Sequence, residues 1–215
     1  MRFSVDILQS DNEITSLILE RIRDYLQKSF DKSKPNIAKE LGKMLKNALT
    51  SQPEYQSLSS GKLRKELGVP SIAIVKSIID KWIDSTTIDS QKLKIMNNQI
   101  FGNFSINMIK SDYADVLSMA DATIIDSNTG SKVPWLSWLL LGGGDILVKN
   151  YAVQTVNPTA RSRTGETIMI KSDKRNWRMP PEFAGVAGNN WVYRAMDTLD
   201  DKIEGMMQRE LEKHI

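Results

Sequence analysis

Apolar residues recur every three or four positions through most of the first 85 residues, and they alternate with polar residues after that. Ile14, Leu17, Ile18, Arg21, Ile22, Tyr25 and Leu26 recur at helical spacing, with Asp11 placed to cap the helix they predict. Pro35 suits the first turn of a second helix, whose Ile37, Leu41, Met44, Leu45, Ala48 and Leu49 share one face. Lys39, Lys43 and Lys46 fall off that stripe and read as a solvated face. The stretch "PEYQSLSSGKLRKELGVPS" is a punctuated connection. Within it Ser59 or Ser60 can cap a short helix through Leu63 and Leu67, and Gly68 can end it. Pro70 then opens another helix, with Ile72, Val75, Ile79 and Trp82 along one stripe.

Beyond residue 85 the period changes. Ile88, Leu93, Ile95, Phe101, Ile106 and Met108 sit in strand-like alternation, with "NNQIFGN" as a hairpin tip or bulge. A short helix, "DYADVLSM", precedes an apolar strand and the turn "DSNTGS". Further strands are expected at Ile146 to Thr155 and Thr167 to Lys171, joined by the polar, aperiodic loop "TVNPTARSRTGE". Asn189 or Asn190 caps a closing helix that carries Trp191, Ala195, Leu199, Ile203, Met206 or Met207 and Leu211 on one side. At the opposite end Phe3, Val5 and Ile7 suggest a short edge strand. The pattern predicts one α+β domain over residues 1–215. A helical N-terminal part (about 1–85) precedes an antiparallel sheet packed by a long C-terminal helix (about 86–215).

Composition narrows the chemistry. The chain has no cysteine, which removes disulfides, thiolate metal sites and cysteine nucleophiles. Its one histidine, His214, lies beside the C-terminus, so neither a two-histidine metal site nor a serine–histidine centre is expected inside the fold. A net charge of +3 is small for a general nucleic-acid binder. The opening "MRFSVDILQSDNE" lacks the unbroken apolar run of a signal peptide, and no apolar stretch approaches the roughly 20 residues of a membrane helix.

Two stretches invite functional readings. "PWLSWLLLGGGD" has its glycines after the apolar segment and carries no Lys-Ser/Thr pair, the reverse of a phosphate loop. It reads instead as a short buried helix opened by Pro134, holding Trp135, Trp138, Leu139 and Leu141, and ended by Gly142 to Gly144. From Arg161 to Arg178, six bases face only Glu166 and Asp173, and Trp177 stands among the cations of "KRNWR". That mixture suits a nucleic-acid surface, with arginines on phosphates and an aromatic on bases. With no recognised nucleic-acid motif beside it, it better suits a solvated loop whose arginines meet acidic groups of a neighbouring subunit. The carboxylates Asp197, Asp200, Asp201 and Glu204 lie on the polar face of the last helix. No catalytic, cofactor-binding or metal constellation emerges, and no enzyme is expected.

Three stretches in order resemble the tail-completion, or head–tail joining, proteins of tailed bacteriophages. "SSGKLRKELGV" (Ser59 to Val69) is similar to their Gly-x-Leu-Arg element, and "PWLSWLLLGG" (Pro134 to Gly143) to an aromatic, apolar helical turn ending in glycine. The third, Arg161 to Asp197, resembles their ending, where a proline-containing loop delivers an aromatic ahead of a long final helix. The chain departs from the family pattern at Leu141, where a Glu is common. The resemblance implies a virion structural protein of the neck, made in the host cytoplasm. Its subunits would form a ring, usually sixfold, between the portal–adaptor proteins and the tail terminator or tail tube, with packaged DNA in the lumen. On that reading the site residues are interfacial. Arg161, Arg163, Arg175 and Arg178 would make inter-subunit or lumen-facing contacts, and Trp177, Pro181 and Phe183 would dock. The alternative is a nucleic-acid-binding module using the basic loop 161–178.

Overall fold

The computed structural model describes residues 10–107, 112–126, 130–156 and 162–214. The chain is α+β. Four helices come first: α1 (Asp11–Ser51), α2 (Pro53–Ser60), α3 (Lys62–Glu66) and α4 (Ile72–Asp84). Strands β1 (Thr87–Ser90), β2 (Lys94–Met96), β3 (Gln99–Phe101) and β4 (Phe104–Asn107) follow, then α5 (Ala114–Leu117) and a 3₁₀ turn at Ala120–Ala122. The remainder is β5 (Ile124–Ile125), β6 (Lys132–Val133), α6 (Trp135–Leu141), β7 (Tyr151–Thr155), β8 (Thr167–Lys171), α7 (Trp191–Asp197) and α8 (Asp200–Glu212).

Every strand pairs antiparallel, but the described strands form four separate two-stranded ribbons (β1–β4, β2–β3, β5–β6, β7–β8) where one sheet was expected. The longest helix is α1, and the C-terminal helix comes in two pieces. Thr198 divides them: its hydroxyl bonds back to Ala195 O at 2.7 Å, and Leu199 N–H bonds Met196 O at 2.8 Å, tightening the chain before α8 begins. The strand expected at Phe3 to Ile7 lies outside the described residues, as does Met108.

The described chain divides into two compact units. One draws on Met1–Glu40, Thr87–Asn107 and Glu204–Ile215, the other on Leu41–Thr86 and Met108–Ile203. In the first, Ser10 rather than Asp11 caps α1. Glu13 reaches back to Ser10 N–H at 2.8 Å while Ser10 Oγ accepts from Glu13 N–H at 3.4 Å, a reciprocal capping box. The Ser10 amide, and then its hydroxyl, hold the Glu13 carboxyl below its usual range.

Pro35 does not open a second helix; it lies inside α1. Proline removes one helical N–H, yet the buried row continues through it, from Ser29 and Ser33 to Ile37 and Leu41 at intervals of four. The two serines bond across to the end of the chain, Ser29 Oγ to His214 O at 2.7 Å and Ser33 Oγ to Glu210 O at 3.2 Å. Asn97 and Asn98, at φ 49° and 56°, form the two-residue tip between β2 and β3, and both accept the left-handed conformation such a turn demands.

The second unit holds the larger core. Its centre is three fully buried tryptophans, Trp82, Trp135 and Trp191, packed among Leu45, Leu49, Leu58, Leu63, Ile78 and Ile79. Trp82 and Trp191 meet edge to face, with ring centroids 5.7 Å apart and planes at 82°. Each of two indoles finds a backbone acceptor: Trp191 Nε1 donates to Leu49 O at 2.9 Å and Trp135 Nε1 to Asp121 O at 2.7 Å. The "punctuated connection" is itself helical (α2), and Ser57, not Ser59 or Ser60, receives the N–H of Leu63 at 3.0 Å. Ser71 caps α4 by accepting from Ala73 N–H.

Asn190 is the N-cap of α7 and is fully buried. Its Oδ1 accepts from Tyr193 N–H at 3.0 Å, and its Nδ2 donates to Tyr113 Oη, Leu140 O and Val186 O at 2.9–3.3 Å. Asn190→Ala therefore loses a cap and strands buried acceptors, an expected loss of roughly 2–4 kcal/mol in urea unfolding. Asn190→Asp keeps the cap acceptor but turns an oxygen toward two carbonyls. It is expected to destabilise as well, whereas a capping role alone would leave Asp near wild type.

Candidate interaction site

The site begins at the end of α3. Gly68 has φ +68°, its N–H bonds Lys65 O at 3.1 Å, and Val69 N–H bonds Arg64 O at 3.0 Å. This is the paired terminal bonding that needs a residue comfortable at positive φ, as the sequence anticipated for Gly68. The bare Cα leaves room for a guanidinium: a methyl group on Gly68 would lie 2.9 Å from Arg163 Nη2 and 3.1 Å from its Nε. Arg163 Nη1 in turn donates to Asp126 Oδ2 at 2.9 Å.

Arg163 belongs to a tight turn before β8. Ser162 Oγ accepts from Thr164 N–H at 3.3 Å and Thr167 N–H at 3.2 Å and donates to Thr167 O, while Gly165 adopts φ +79°. Two further links fasten this turn to α3. Lys65 Nζ pairs with Glu166, and Thr167 Oγ1 donates to Lys65 O at 2.6 Å. Between these elements lies a cleft of about 570 Å³, with Lys65, Asp126 and Arg163 on its polar side and Val133, Trp138 and Ile168 among its apolar lining.

The segment Pro134 to Gly143 meets the chain's ending in a second set of contacts. Of its apolar residues, Trp135, Leu136, Leu139 and Leu140 are buried, Trp138 is half-buried against the core, and Leu141 is exposed, not inside. Gly143 takes φ +49° and its N–H bonds Gly185 O at 2.9 Å. Gly185 is pressed so closely on α6 that a methyl there would stand 2.4 Å from Leu139 O. Leu140 O accepts from Asn190.

The expected interface residues separate into groups. Arg161 lies outside the described residues. Arg163 is engaged with Asp126 of its own chain, and Arg178, though exposed, donates to Gly144 O. Arg175 and Pro181 are exposed, and Phe183 is half-buried against the core. Trp177 departs from the docking role expected of it. It is 6% exposed, its indole packs 5.6 Å from Trp138 at a 52° tilt, and its N–H and carbonyl bridge to Val148. A ring so enclosed offers no face for stacking on bases. Lys174, Arg175 and Arg178 face outward around one core residue, an arrangement that charge clustering in sequence cannot distinguish from an aromatic set among exposed bases.

Lys65, Asp126 and Glu166 complete the site and carried no sequence signal, because their partners are 37 to 102 residues distant. Among the described residues no group of three or more His, Asp or Glu side chains is placed to hold a metal ion. No helix among them is long and apolar enough to cross a membrane. Comparison with protein-family models, curated proteins and solved structures returns no match.

Two measurements test this geometry. Gly68→Ala is expected to cost about 1–2 kcal/mol from the positive φ alone, plus the displacement of Arg163. In an Arg163→Ala background the same change should cost measurably less, a coupling of about 0.5 kcal/mol or more in a double-mutant cycle; strict additivity would deny the contact. Trp177→Ala should destabilise by roughly 3–5 kcal/mol, while Pro181→Ala at the surface should stay within about 0.5 kcal/mol.

Proposed function

We propose that this protein is a structural subunit of a tailed-phage virion, a neck or tail-completion protein that forms a ring joining the head to the tail. One observation supports this reading above the others. The three stretches that resemble the joining-protein family are far apart in sequence but interlock in the fold. Ser59 to Val69 contains Gly68, which the Arg163 guanidinium of the third stretch closely approaches, and Pro134 to Gly143 is bonded to that same stretch through Gly185 and Asn190.

The chemistry of the cleft and its surroundings suits adhesion better than turnover. Two ion pairs at the cleft, Arg163 with Asp126 and Lys65 with Glu166, hold segments of the chain in place. In the same unit Leu141, Ile146, Val186 and Tyr193 are exposed, apolar groups of the kind a neighbouring subunit covers. A closed ring sums modest contacts of this sort over every subunit.

The test is assembly. The protein, mixed with portal, adaptor and tail proteins of its own virion, is expected to give closed rings in negative-stain images. Reversing two exposed charges, Lys174→Glu with Arg175→Glu, should lower ring yield at least tenfold while stability changes by no more than about 0.5 kcal/mol. If no ring forms with any neck partner, the reading is wrong.

A further inference from the structure

We infer that β7 takes a third strand, residues 3–7 of a second copy, along an edge that its own chain leaves unpaired. The β7–β8 ladder runs from Asn150 O, which accepts from Ser172 N–H at 2.8 Å, to Val156 N–H, which donates to Glu166 O at 2.8 Å. Antiparallel pairing alternates, so the backbone groups of Ala152 and Gln154 turn to β8 and those of Tyr151, Val153 and Thr155 turn outward. Among the described residues those outward groups have no hydrogen-bond partner. The outer edge of β8 is less open. Ser162 Oγ accepts from Thr167 N–H and donates to Thr167 O, and the exposed Lys171 sets a charge at its other end.

A row of alternate N–H and C=O groups selects its occupant, because only another extended backbone answers all of them. Side chains select further. Tyr151, Val153 and Met169 line the cleft with Val133 and Trp138, whereas Ala152, Gln154 and Ile170, on the opposite face of the ribbon, do not. Tyr151 and Met169 are still 38% and 37% exposed. A strand that covers this face needs apolar groups at alternate positions. Phe3, Val5 and Ile7, which lie outside the described residues, have that alternation, and Ser4 and Asp6 between them are polar. Both segments are five residues long, about 17 Å at 3.4 Å per residue. Aligned antiparallel, Val5 of the second copy stands opposite Val153, with its Phe3 beside Thr155 and its Ile7 beside Tyr151.

Helix length selects a second copy. Val5 is five residues from Ser10, about 17 Å when extended. From Ser10 to Leu41, where the unit that holds β7 begins, α1 rises about 46 Å. A chain that carries the strand ahead of α1 and the edge in the unit after Leu41 passes its strand to a neighbour, head to tail. Contacts of that kind close rings. The inference deepens the ring reading above, on which it rests, but is measured without neck partners.

The chain has no cysteine, so paired substitutions read the contact directly. Opposed Cα atoms in such a pair lie about 5.5 Å apart, within the span of a disulfide. Under oxidation, full-length Val5→Cys mixed with full-length Val153→Cys is expected to give a mixed disulfide dimer. It should form at least ten times faster than with Ala152→Cys, whose side chain points to the other face. Adding Phe3→Asp to the Val5→Cys chain should slow the link about tenfold with circular dichroism unchanged. Phe3→Cys with Thr155→Cys repeats the test at an exposed position of β7, where the fold tolerates substitution. The inference falls if position 152 links as fast as position 153. It falls too if Val5→Cys and Val153→Cys link only when combined in one chain, since the strand then stays with its own copy. No link in either pair also overturns it, while ring formation with neck partners stands or falls by its own test.

Discussion

The indole of Trp191 donating to Leu49 O is the contact on which the larger unit is built. Leu49 sits in the last turn of α1, where carbonyls have no helical partner, and burying one without a donor costs about 1–3 kcal/mol. Trp191 supplies that donor and presses its ring on the edge of Trp82, so one side chain binds the end of α1 to α4. Its neighbours in α7 extend the attachment. Asn190 reaches α6 and Tyr113, and Arg194 neutralises Glu54, a carboxylate 1% exposed in α2. A single helical turn thus bonds buried groups of α1, α2 and α6 and the Tyr113 side chain.

The candidate site depends on this attachment. Because Asn190 and Gly185 are held on α6, the chain between Trp177 and Asn190 has a set path, and Trp177 is drawn inward against Trp138. The preceding ribbon, β7–β8, then brings the Ser162–Thr167 turn to the glycine end of α3. The cations that look like one basic patch in sequence reach different fates for this reason. Arg163 is consumed by an internal pair, while Arg175 is left in solvent.

The sequence was most readable where a local rule governed. Helical stripes located α1, α4 and α7, the glycine after α3 ended it as expected, and alternation placed the ribbons around Ile88, Ile95, Phe101 and Ile106. It was least readable where a distant partner outvoted local preference. Pro35 signalled a helix start, but a buried row at intervals of four carries α1 through it. Trp177 sat among bases, but Trp138, 39 positions earlier, claimed its ring. Alternation marks a strand but not its partner, and so did not encode the pairing two by two.

The paired serines of α1 have a mechanical consequence. Ser29 and Ser33 are one turn apart, as are the carbonyls they hold at His214 and Glu210, so both bonds belong to one alignment of the two segments. A small axial slip would break both together, leaving the Ser29 hydroxyl without its acceptor while the Ser33 hydroxyl falls back on Ser29 O, 2.8 Å away in its own helix. Displacement by a full turn, about 5.4 Å, re-engages only one hydroxyl, because only two are spaced to engage. The C-terminal segment is therefore indexed against α1 like a vernier with one coincident mark, resistant to gradual sliding under load.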